Sequence, residues 1–533
     1  MAKPDNVESN KTFSCRRFNI KDSPILEHVI PIALSLIYLA VIIYFGWPYR
    51  IGTYENSDFY SMYAPDADRI AIGNFPKNTF NGPGYPILLM LISKLTGDVF
   101  IAGRYISAIT AMLCGLVAFY LFRKLFRYRT ALLAMPLIFV SGEFSMYSID
   151  PASDLMFLLL CLAAVFVFID DKIGSWAKAA IAGSICGFAY LTRYNGIFLL
   201  ATCLLGIMII NVFSLQFSRR LKVATLYMLC FLAVTSPWLW FTYKHYGSPI
   251  YNTNYLNMAT EFYGYRPDWD GVTAAAQSFH SFSDVILRDP QHFVLHYCVN
   301  IFRVFKRTLL ESRFVFPPIA FLAFAGVVVM ILKKSRKKDS FFLLSAAIYF
   351  LVMCFNHWES RYFFYLMVCY IGLACHAVVS GVDWFRKKKL LSLRTCGIIM
   401  GCIGLMLFSF SAVRANRDIK WLIKAQPLEL FKASEYLKSV SGAGAKIMVR
   451  KPHLAYLSHC EQVFFVHVKS LDELNTILKK TPVDFLVYDR VALKMRPEVK
   501  ILVEPLTNVS WLNPVYLDKP NSLVIYRVEK AKL

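Results

Sequence analysis

Charged residues are scarce in this sequence. Asp, Glu, Lys and Arg make up 17% of its 533 residues, whereas an average soluble domain contains about 25%. Hydrophobic residues account for 57% and aromatic residues for 16%. A soluble fold could not cover so much apolar surface with polar groups, and the same composition excludes an intrinsically disordered chain. The sequence therefore predicts a polytopic membrane protein.

Acidic residues are especially few, since 35 Asp and Glu residues stand against 58 Lys and Arg residues and leave a net charge of +23. An excess of this size can indicate nucleic-acid binding. Here, however, the basic residues cluster in alternate connections between apolar runs, as expected for loops retained in the cytoplasm. The pattern predicts a cytoplasmic N-terminal tail over residues 1–24 and no nucleic-acid partner. The main clusters lie at 16–21, 123–129, 219–222, 333–338 and 386–394.

Apolar runs predict about eleven transmembrane helices (roughly 10 to 13) within residues 25–413. The runs lie near 29–47, 99–122, 130–147, 154–170, 177–192, 196–213, 222–243, 316–332, 341–356, 362–380 and 394–413. No cleavable signal peptide precedes the first run, which is expected to act as start and anchor. An odd number of spans places the C-terminus outside the cytoplasm.

Cysteine motifs are missing as well. Ten of the 13 cysteines fall in predicted spans, and there is no Cys-x-x-Cys metal motif or disulfide framework. The sequence shows no internal repeat and no low-complexity segment. A divalent metal is an open alternative that the sequence does not support, and no other cofactor is indicated.

Three segments are predicted outside the cytoplasm: the external loops 48–98 and 244–315, and the C-terminal segment 414–533. Within the first loop, residues 87–95 form an apolar stretch about half a bilayer long, which predicts a re-entrant or interfacial helix. From about residue 440 the pattern becomes that of a soluble α/β domain. A capping box at Ser470–Glu473 predicts a helix start. The predicted strands are 446–450, 463–468, 483–488 and 522–528.

Carboxylates near the outer membrane face are candidates for chemistry. Asp58 lies in an aromatic loop without an adjacent cation, where a partly desolvated carboxylate can act as a general base. A solvated loop aspartate is the competing interpretation. Asp66 and Asp68 form an Asp-x-Asp pair of the kind that holds metals in soluble glycosyltransferases, but one such pair is a weak signal. Asp150 and Asp154 flank the start of a span, where helix capping alone could explain them.

Cations at the outer ends of the spans form a second group. Arg193 ends the fifth predicted span and Arg361 begins the tenth, just after Glu359. Arginine at membrane depth is costly unless it is paired or functional, and its guanidinium suits phosphate. Arg303 and Lys306 share one face of a predicted helix. Pairing with carboxylates or contact with lipid headgroups is the alternative role for these cations.

An ordered set of short sequence fragments runs along most of the chain. The fragments are Asp58 with Tyr63, Pro83–Pro86, Arg104, Ser153-Asp154, Gly187–Arg193, Pro237-Trp238, Tyr246–Pro249 and Glu359-Ser360-Arg361-Tyr362. In this order, they resemble polyprenyl-phosphate-sugar-dependent glycosyltransferases of the GT-C fold. The resemblance is to a broad group that contains glycosyltransferase family 39, with the protein O-mannosyltransferases, and the aminoarabinose and galacturonic acid transferases that modify lipid A.

The resemblance implies an inverting transfer on the outer face of a plasma membrane, the inner membrane in a bacterium. The donor would be a monosaccharide on a polyprenyl phosphate, and the acceptor a hydroxyl of a lipid, glycan or protein, with membrane lipids as surroundings. Asp58 would be the catalytic base. The substrate-binding residues would be Tyr63, Asp154, Arg193, Arg303, Lys306, Glu359, Arg361 and Tyr362.

Two departures from the family pattern keep alternatives open. The family often has Asp-Glu where this chain has Asp58-Phe59, and the step from that Asp to the Tyr is five residues here rather than four. Asp66 and Asp68 are therefore alternative bases. A lipid-linked sugar flippase or transporter is the alternative function, although transporters usually place binding charges near the bilayer midplane in two related halves. A membrane scaffold that presents its soluble tail is a third.

Overall fold

The computed structural model describes residues 24–332, 336–442, 444–505 and 509–532. These residues form a large helical domain followed by a small α/β domain. Of the predicted cytoplasmic tail only Pro24 is described, and part of the basic cluster at 333–338 also lies outside the described residues.

The helical domain contains eighteen α-helices within the described residues. They are α1 Pro24–Gly46, α2 Ala64–Ala71, α3 Gly84–Thr96, α4 Val99–Leu125, α5 Tyr128–Phe139, α6 Gly142–Tyr147, α7 Asp154–Ile169, α8 Ser175–Thr192, α9 Ile197–Leu205, α10 Phe217–Tyr246, α11 Tyr255–Phe262, α12 Trp269–Ala276, α13 Phe282–Leu287, α14 Pro290–Leu310, α15 Pro317–Leu332, α16 Lys337–Met353, α17 Phe364–Lys387 and α18 Leu393–Lys424.

Several of these helices suit a membrane. In the described part of the chain, five helical segments are long and apolar enough to cross one: Ile25–Gly46, Val99–Leu125, Phe217–Tyr246, Ser360–Lys387 and Leu393–Val440. Five shorter apolar helices accompany them, among them Gly84–Thr96, the helix expected to be half a bilayer long. The helical membrane architecture is therefore confirmed, while the number of spans and their orientation stay predictions.

Helix α17 forms the centre of the bundle. It packs against α5, α7, α15, α16 and α18, and its side chains are buried on almost every face. A helix that is apolar all round is expected in such a position. A short 3₁₀ turn, Ser360–Phe363, leads into it, so the most constrained helix of the domain fixes the segment that carries Arg361 and Tyr362.

The C-terminal domain is built around one five-stranded sheet. Its elements are α19 Glu429–Val440, β1 Lys446–Val449, α20 His453–Leu457, β2 Glu461–Phe464, α21 Leu471–Lys480, β3 Phe485–Tyr488, α22 Arg490–Met495, β4 Leu512–Asp518 and β5 Leu523–Val528. The strand order is β2-β1-β3-β5-β4. Strand β1 pairs in parallel with β2 and β3, whereas β5 pairs antiparallel with β3 and β4.

Four of these strands lie where the sequence predicts them, and their ends agree within three residues, except that β2 ends earlier than predicted. Strand β4 was not predicted. This strand contains Pro514, and its register with β5 shifts between Pro514 and Tyr516. Proline is typical of edge strands and bulges, so the expected alternation is broken. The predicted cap forms in part: the Ser470 hydroxyl accepts from Glu473 N at 3.2 Å, while the Glu473 carboxylate accepts from Lys469 N at 2.6 Å.

Candidate active site

Asp58 stands at the start of a π-helical turn in the loop that follows α1. The turn covers Phe59–Tyr63 and continues directly into α2. A π turn holds more residues than an α turn and is often found at functional sites. It therefore accommodates the five-residue step from Asp58 to Tyr63, the spacing in which this chain departs from the family pattern. Both side chains line the same cavity.

Arg361 connects this loop to the start of α17. Its Nη2 donates to Asp58 Oδ2 at 3.1 Å, and its Nε donates to Glu359 Oε2 at 2.5 Å. His357 Nε2 lies 3.3 Å from the other oxygen of Glu359. Burial opposes the charge of Glu359, but the adjacent Arg361 and His357 hold its pKa well below the usual range. Glu359 is therefore an anion that orients Arg361.

Arg193 forms a second ion pair, at the end of α8. Its Nη1 donates to Asp154 Oδ1 at 2.7 Å and lies 3.4 Å from Ser153 Oγ. The Asp154 side chain is 3% exposed and that of Arg193 is 14% exposed. Breaking such a buried pair would leave an uncompensated charge. Asp154 thus fixes the guanidinium while part of it stays open to the cavity.

Tyr362 lies between the two arginines. The guanidinium carbon of Arg193 is 4.9 Å from the centre of the Tyr362 ring, and that of Arg361 is 5.2 Å from it. Cations over an aromatic face are stabilised by the quadrupole of the ring. The ring thereby brings together two guanidinium groups, each of which is also paired with a carboxylate.

The segment Asn81–Gly84 closes another wall of the cavity by docking on the end of α8. A β-carbon on Gly82 would lie 2.1 Å from the carbonyl oxygen of Leu191, so only glycine fits there. This contact positions Asn81, whose side-chain nitrogen donates to the Tyr63 hydroxyl at 3.2 Å. The Tyr63 hydroxyl is also 2.8 Å from Ser153 Oγ.

The cavity enclosed by these groups measures about 630 Å³. Its charged lining residues among those described are Asp58 and Arg193, with His280 as a further titratable group. Most other lining groups are amides, hydroxyls and aromatic rings, including six asparagines. They are Asn81, Asn195, Asn252, Asn254, Asn257 and Asn356. Such a lining suits a polyhydroxylated ligand next to an ionic centre.

The structure does not bring every predicted residue to this cavity. Arg303 pairs with Glu261 at 2.7 Å on the exposed side of α14, and Lys306 is exposed on the same helix. Asp66 is buried and accepts from Lys77 N at 2.8 Å, and burial raises its pKa to about 6. Asp68 accepts from the Tyr456 hydroxyl at 2.8 Å. Neither of the alternative bases lines the cavity.

Tyr147 and Lys451, near the site, escaped the sequence analysis, and Asp150 has a different role from the capping considered there. Tyr147 lies beneath Arg361, whose guanidinium carbon is 5.8 Å from its ring centre. Asp150, considered as a capping residue, is buried and accepts from the Tyr49 hydroxyl at 2.5 Å and from Asn56. Lys451 of the C-terminal domain donates to Ser57 Oγ at 3.4 Å. No local signal marks Lys451, because its proximity to the loop arises only through folding.

The ionic arrangement suits chemistry at a phosphate-linked carbon. Two fixed guanidinium groups can neutralise a phosphate leaving group, and a carboxylate beside them can accept a proton. The described residues contain no group of three or more His, Cys, Asp or Glu side chains that could hold a metal ion.

The overall architecture is that of the GT-C glycosyltransferases, as the sequence resemblance implied. Residues 81–241 match the model of the family described as dolichyl-phosphate-mannose-protein mannosyltransferase. This segment includes Asn81, Asp154 and Arg193. No curated protein sequence matches the chain.

Two solved structures illustrate the similarity of fold. The oligosaccharyltransferase of Archaeoglobus fulgidus, solved with Zn and sulfate, superposes with a TM-score of 0.63 at 14% identity, over 88% of this chain and 68% of that one. ArnT from Cupriavidus metallidurans in the apo state gives a TM-score of 0.59 at 11% identity, over 94% of this chain and 98% of that one. At such identities the likeness establishes the fold alone.

Proposed function

We propose that this protein transfers a monosaccharide from a polyprenyl-phosphate donor to a hydroxyl of a lipid, glycan or protein acceptor at the outer membrane face. Arg193 and Arg361 hold the donor phosphate, Asp58 is the general base, and the anomeric configuration inverts. The observation that carries the proposal is the convergence of three distant segments: Asp58 and Arg193 line one cavity, and Arg361 joins them through its ion pair with Asp58.

The proposed step balances without another reactant. The acceptor oxygen attacks the anomeric carbon while Asp58 takes the hydroxyl proton. The bond from that carbon to the phosphate oxygen breaks, and the electron pair leaves with the polyprenyl phosphate. Because this leaving group is already a stable anion, it needs positive charge rather than a general acid. The paired arginines supply that charge.

Known structures with this fold support the nature of the donor. AglB from Archaeoglobus fulgidus has been solved with an inhibitory peptide and a dolichol-phosphate, and ArnT from Cupriavidus metallidurans with undecaprenyl phosphate. Both ligands are polyprenyl phosphates. A phosphate held by Arg193 and Arg361, next to a cavity that combines six asparagines with aromatic rings, agrees with such a donor.

The test is a donor panel with the full-length protein in phosphatidylcholine vesicles. Radiolabelled undecaprenyl-phosphate sugars are supplied with a membrane extract as the source of acceptors, and release or transfer of the label is measured. We expect Asp58→Asn to reduce turnover about 10²- to 10⁴-fold, the usual contribution of a general base. Asp68→Asn is the matched control, because it makes the same change in the same loop outside the cavity.

The outcomes separate the candidate functions. Turnover by wild type and Asp68→Asn, but not by Asp58→Asn, supports the proposal. Full activity of Asp58→Asn would remove Asp58 from the reaction. Tight binding of undecaprenyl phosphate with no turnover of any donor would overturn the proposal and favour a flippase.

A further inference from the structure

The C-terminal sheet has a topological switch point between β1 and β3. Parallel strands β1 and β3 are neighbours, while the chain leaves β1 towards β2 on the other side. The carboxyl ends of parallel strands at such a reversal point are the usual ligand site of open α/β sheets. Directly after β1 the chain places Arg450 and Lys451, and directly after β3 it places Asp489.

This edge of the sheet faces the loop that carries Asp58. Lys451 Nζ donates to Ser57 Oγ at 3.4 Å, one residue from Asp58. The His453 ring packs 4.8 Å from the ring of Tyr60, centre to centre. Further along α20, the hydroxyl of Tyr456 donates to Asp68 at 2.8 Å. This edge of the domain and the proposed catalytic loop are therefore in direct contact.

Lys451 has no close ion-pair partner among the described residues. It is half-buried, and no carboxylate of the described residues lies within 4.0 Å of its ammonium group. Burial and the neighbouring Arg450 lower the pKa of Lys451, while the more distant Asp58, Asp489 and Glu55 oppose the shift. An unpaired cation in such a position is expected to have a binding role.

Arg450 adds to the positive charge at this edge. Its side chain is 2% exposed, and its Nε and Nη1 atoms are buried without a hydrogen-bond partner. Its Nη2 lies 3.6 Å from Asp270 Oδ2. Asp270, however, is already engaged by Arg496, whose Nη2 is 2.6 Å from the other oxygen. The two cations after β1 therefore face too little negative charge.

We propose that Lys451 is a substrate-binding residue that takes an anionic group, a phosphate or a carboxylate, of the acceptor. The inference rests on the proposed function, which places the donor phosphate at Arg193 and Arg361. Lys451 does not line that cavity, and it approaches the Asp58 loop from the C-terminal domain. It is therefore available to the molecule whose hydroxyl Asp58 deprotonates.

The test measures equilibrium binding by full-length protein in phosphatidylcholine nanodiscs. Excess undecaprenyl phosphate is present throughout, so that the arginines of the donor site are occupied. Three water-soluble probes share one sugar: methyl glucoside is neutral, methyl glucoside 6-phosphate carries a phosphate, and methyl glucuronide carries a carboxylate. Saturation-transfer NMR gives an affinity for each probe with wild type, Lys451→Gln, Lys451→Arg and Lys446→Gln. Lys446 is the control because it is an exposed lysine at the other end of β1.

We expect wild type to bind one anionic probe about tenfold more tightly than the neutral one, as a charge-assisted hydrogen bond allows. The favoured probe identifies phosphate or carboxylate as the group. Lys451→Gln should lose this preference, whereas Lys451→Arg and Lys446→Gln should keep it. Because Lys451→Arg keeps the charge and Lys446→Gln removes a charge at the other end of β1, a loss confined to Lys451→Gln would report binding by Lys451.

Equal binding of all three probes by wild type, or no binding of any, would overturn the inference. A preference that survives in Lys451→Gln would do the same. None of these results changes the outcome expected of the Asp58 turnover assay. An inactive donor panel would instead reject the proposed function, so the two failures are distinguishable.

Discussion

Arg361 Nη2 lies 3.1 Å from Asp58 Oδ2, although the two residues are 303 positions apart in the chain. The same guanidinium holds Glu359 through Nε. One arginine thus ties the loop after α1 to the start of the central helix. Under the proposed function, a donor phosphate would compete with Asp58 for this guanidinium and free the carboxylate to accept a proton.

This shared position makes the shape of the Arg361 side chain as important as its charge. We expect Arg361→Lys to reduce turnover about 10²-fold, because an ammonium cannot bond Glu359 and Asp58 in a fixed fork. Undecaprenyl phosphate should also bind more weakly. Arg417→Gln is the control, since that side chain is 72% exposed and should leave both readings unchanged. Wild-type turnover in Arg361→Lys would show that charge alone suffices.

The close approach of Gly82 to Leu191 makes a stability prediction. Gly82→Ala places a β-carbon against a backbone carbonyl that cannot move aside, and overpacking of this kind costs about 1–3 kcal/mol. We expect a lower thermal unfolding temperature in detergent and a loss of activity, because Asn81 is displaced. Gly174→Ala is the matched control, since nothing lies within 4 Å of the added carbon. Equal unfolding temperatures for the two variants would contradict the packing argument.

Asp66 predicts a pH dependence of stability. Burial raises its pKa from 3.8 to about 6, so between these values the folded chain keeps a proton that the unfolded chain has lost. The contribution of Asp66 to stability therefore falls as pH rises through this window and is least favourable above it. Asp66→Asn should remove this component, and the Asn side chain can still accept from Lys77 N.

The measurement compares thermal unfolding of wild type and Asp66→Asn in detergent at pH 5 and pH 7. We expect the variant to gain stability relative to wild type at the higher pH. The difference between the two proteins isolates Asp66 from the other carboxyls that titrate in this range. An identical difference at both pH values would show that burial does not raise the pKa of Asp66.

Local sequence is sufficient to predict the main ionic groups in and beside the cavity. Asp154, Arg193 and Arg361 each stand where an apolar run begins or ends, and a charge at that depth requires a partner. Asp58 lies in an aromatic loop next to the first span. What the sequence does not contain is the pairing itself, because the partners come from segments far apart in the chain.

Arg303 and Lys306 show the limit of spacing arguments. Their three-residue step does place them on one side of α14, but the inward stripe of that helix is formed by Asn300, Val304 and Thr308. That stripe is short and partly polar, so hydrophobic periodicity alone does not identify it. The predicted cationic face consequently points away from the cavity.

The C-terminal domain shows a different limit. Its strands follow from runs of β-branched and aromatic residues, and β1, β3 and β5 lie within two residues of their predicted positions. The contact between Lys451 and Ser57 spans 394 positions and depends on how the domain rests on the membrane helices. No feature near either residue predicts it.

That contact also imposes an order on biogenesis. The ribosome delivers Ser57 and Asp58 to the membrane long before it reaches Lys451, so every partly made chain lacks one side of the proposed acceptor site. A premature stop after α18 would leave an inserted helical bundle with an uncovered loop. The proposed acceptor site is therefore complete only after the C-terminal domain has been synthesised and has packed against the helical bundle.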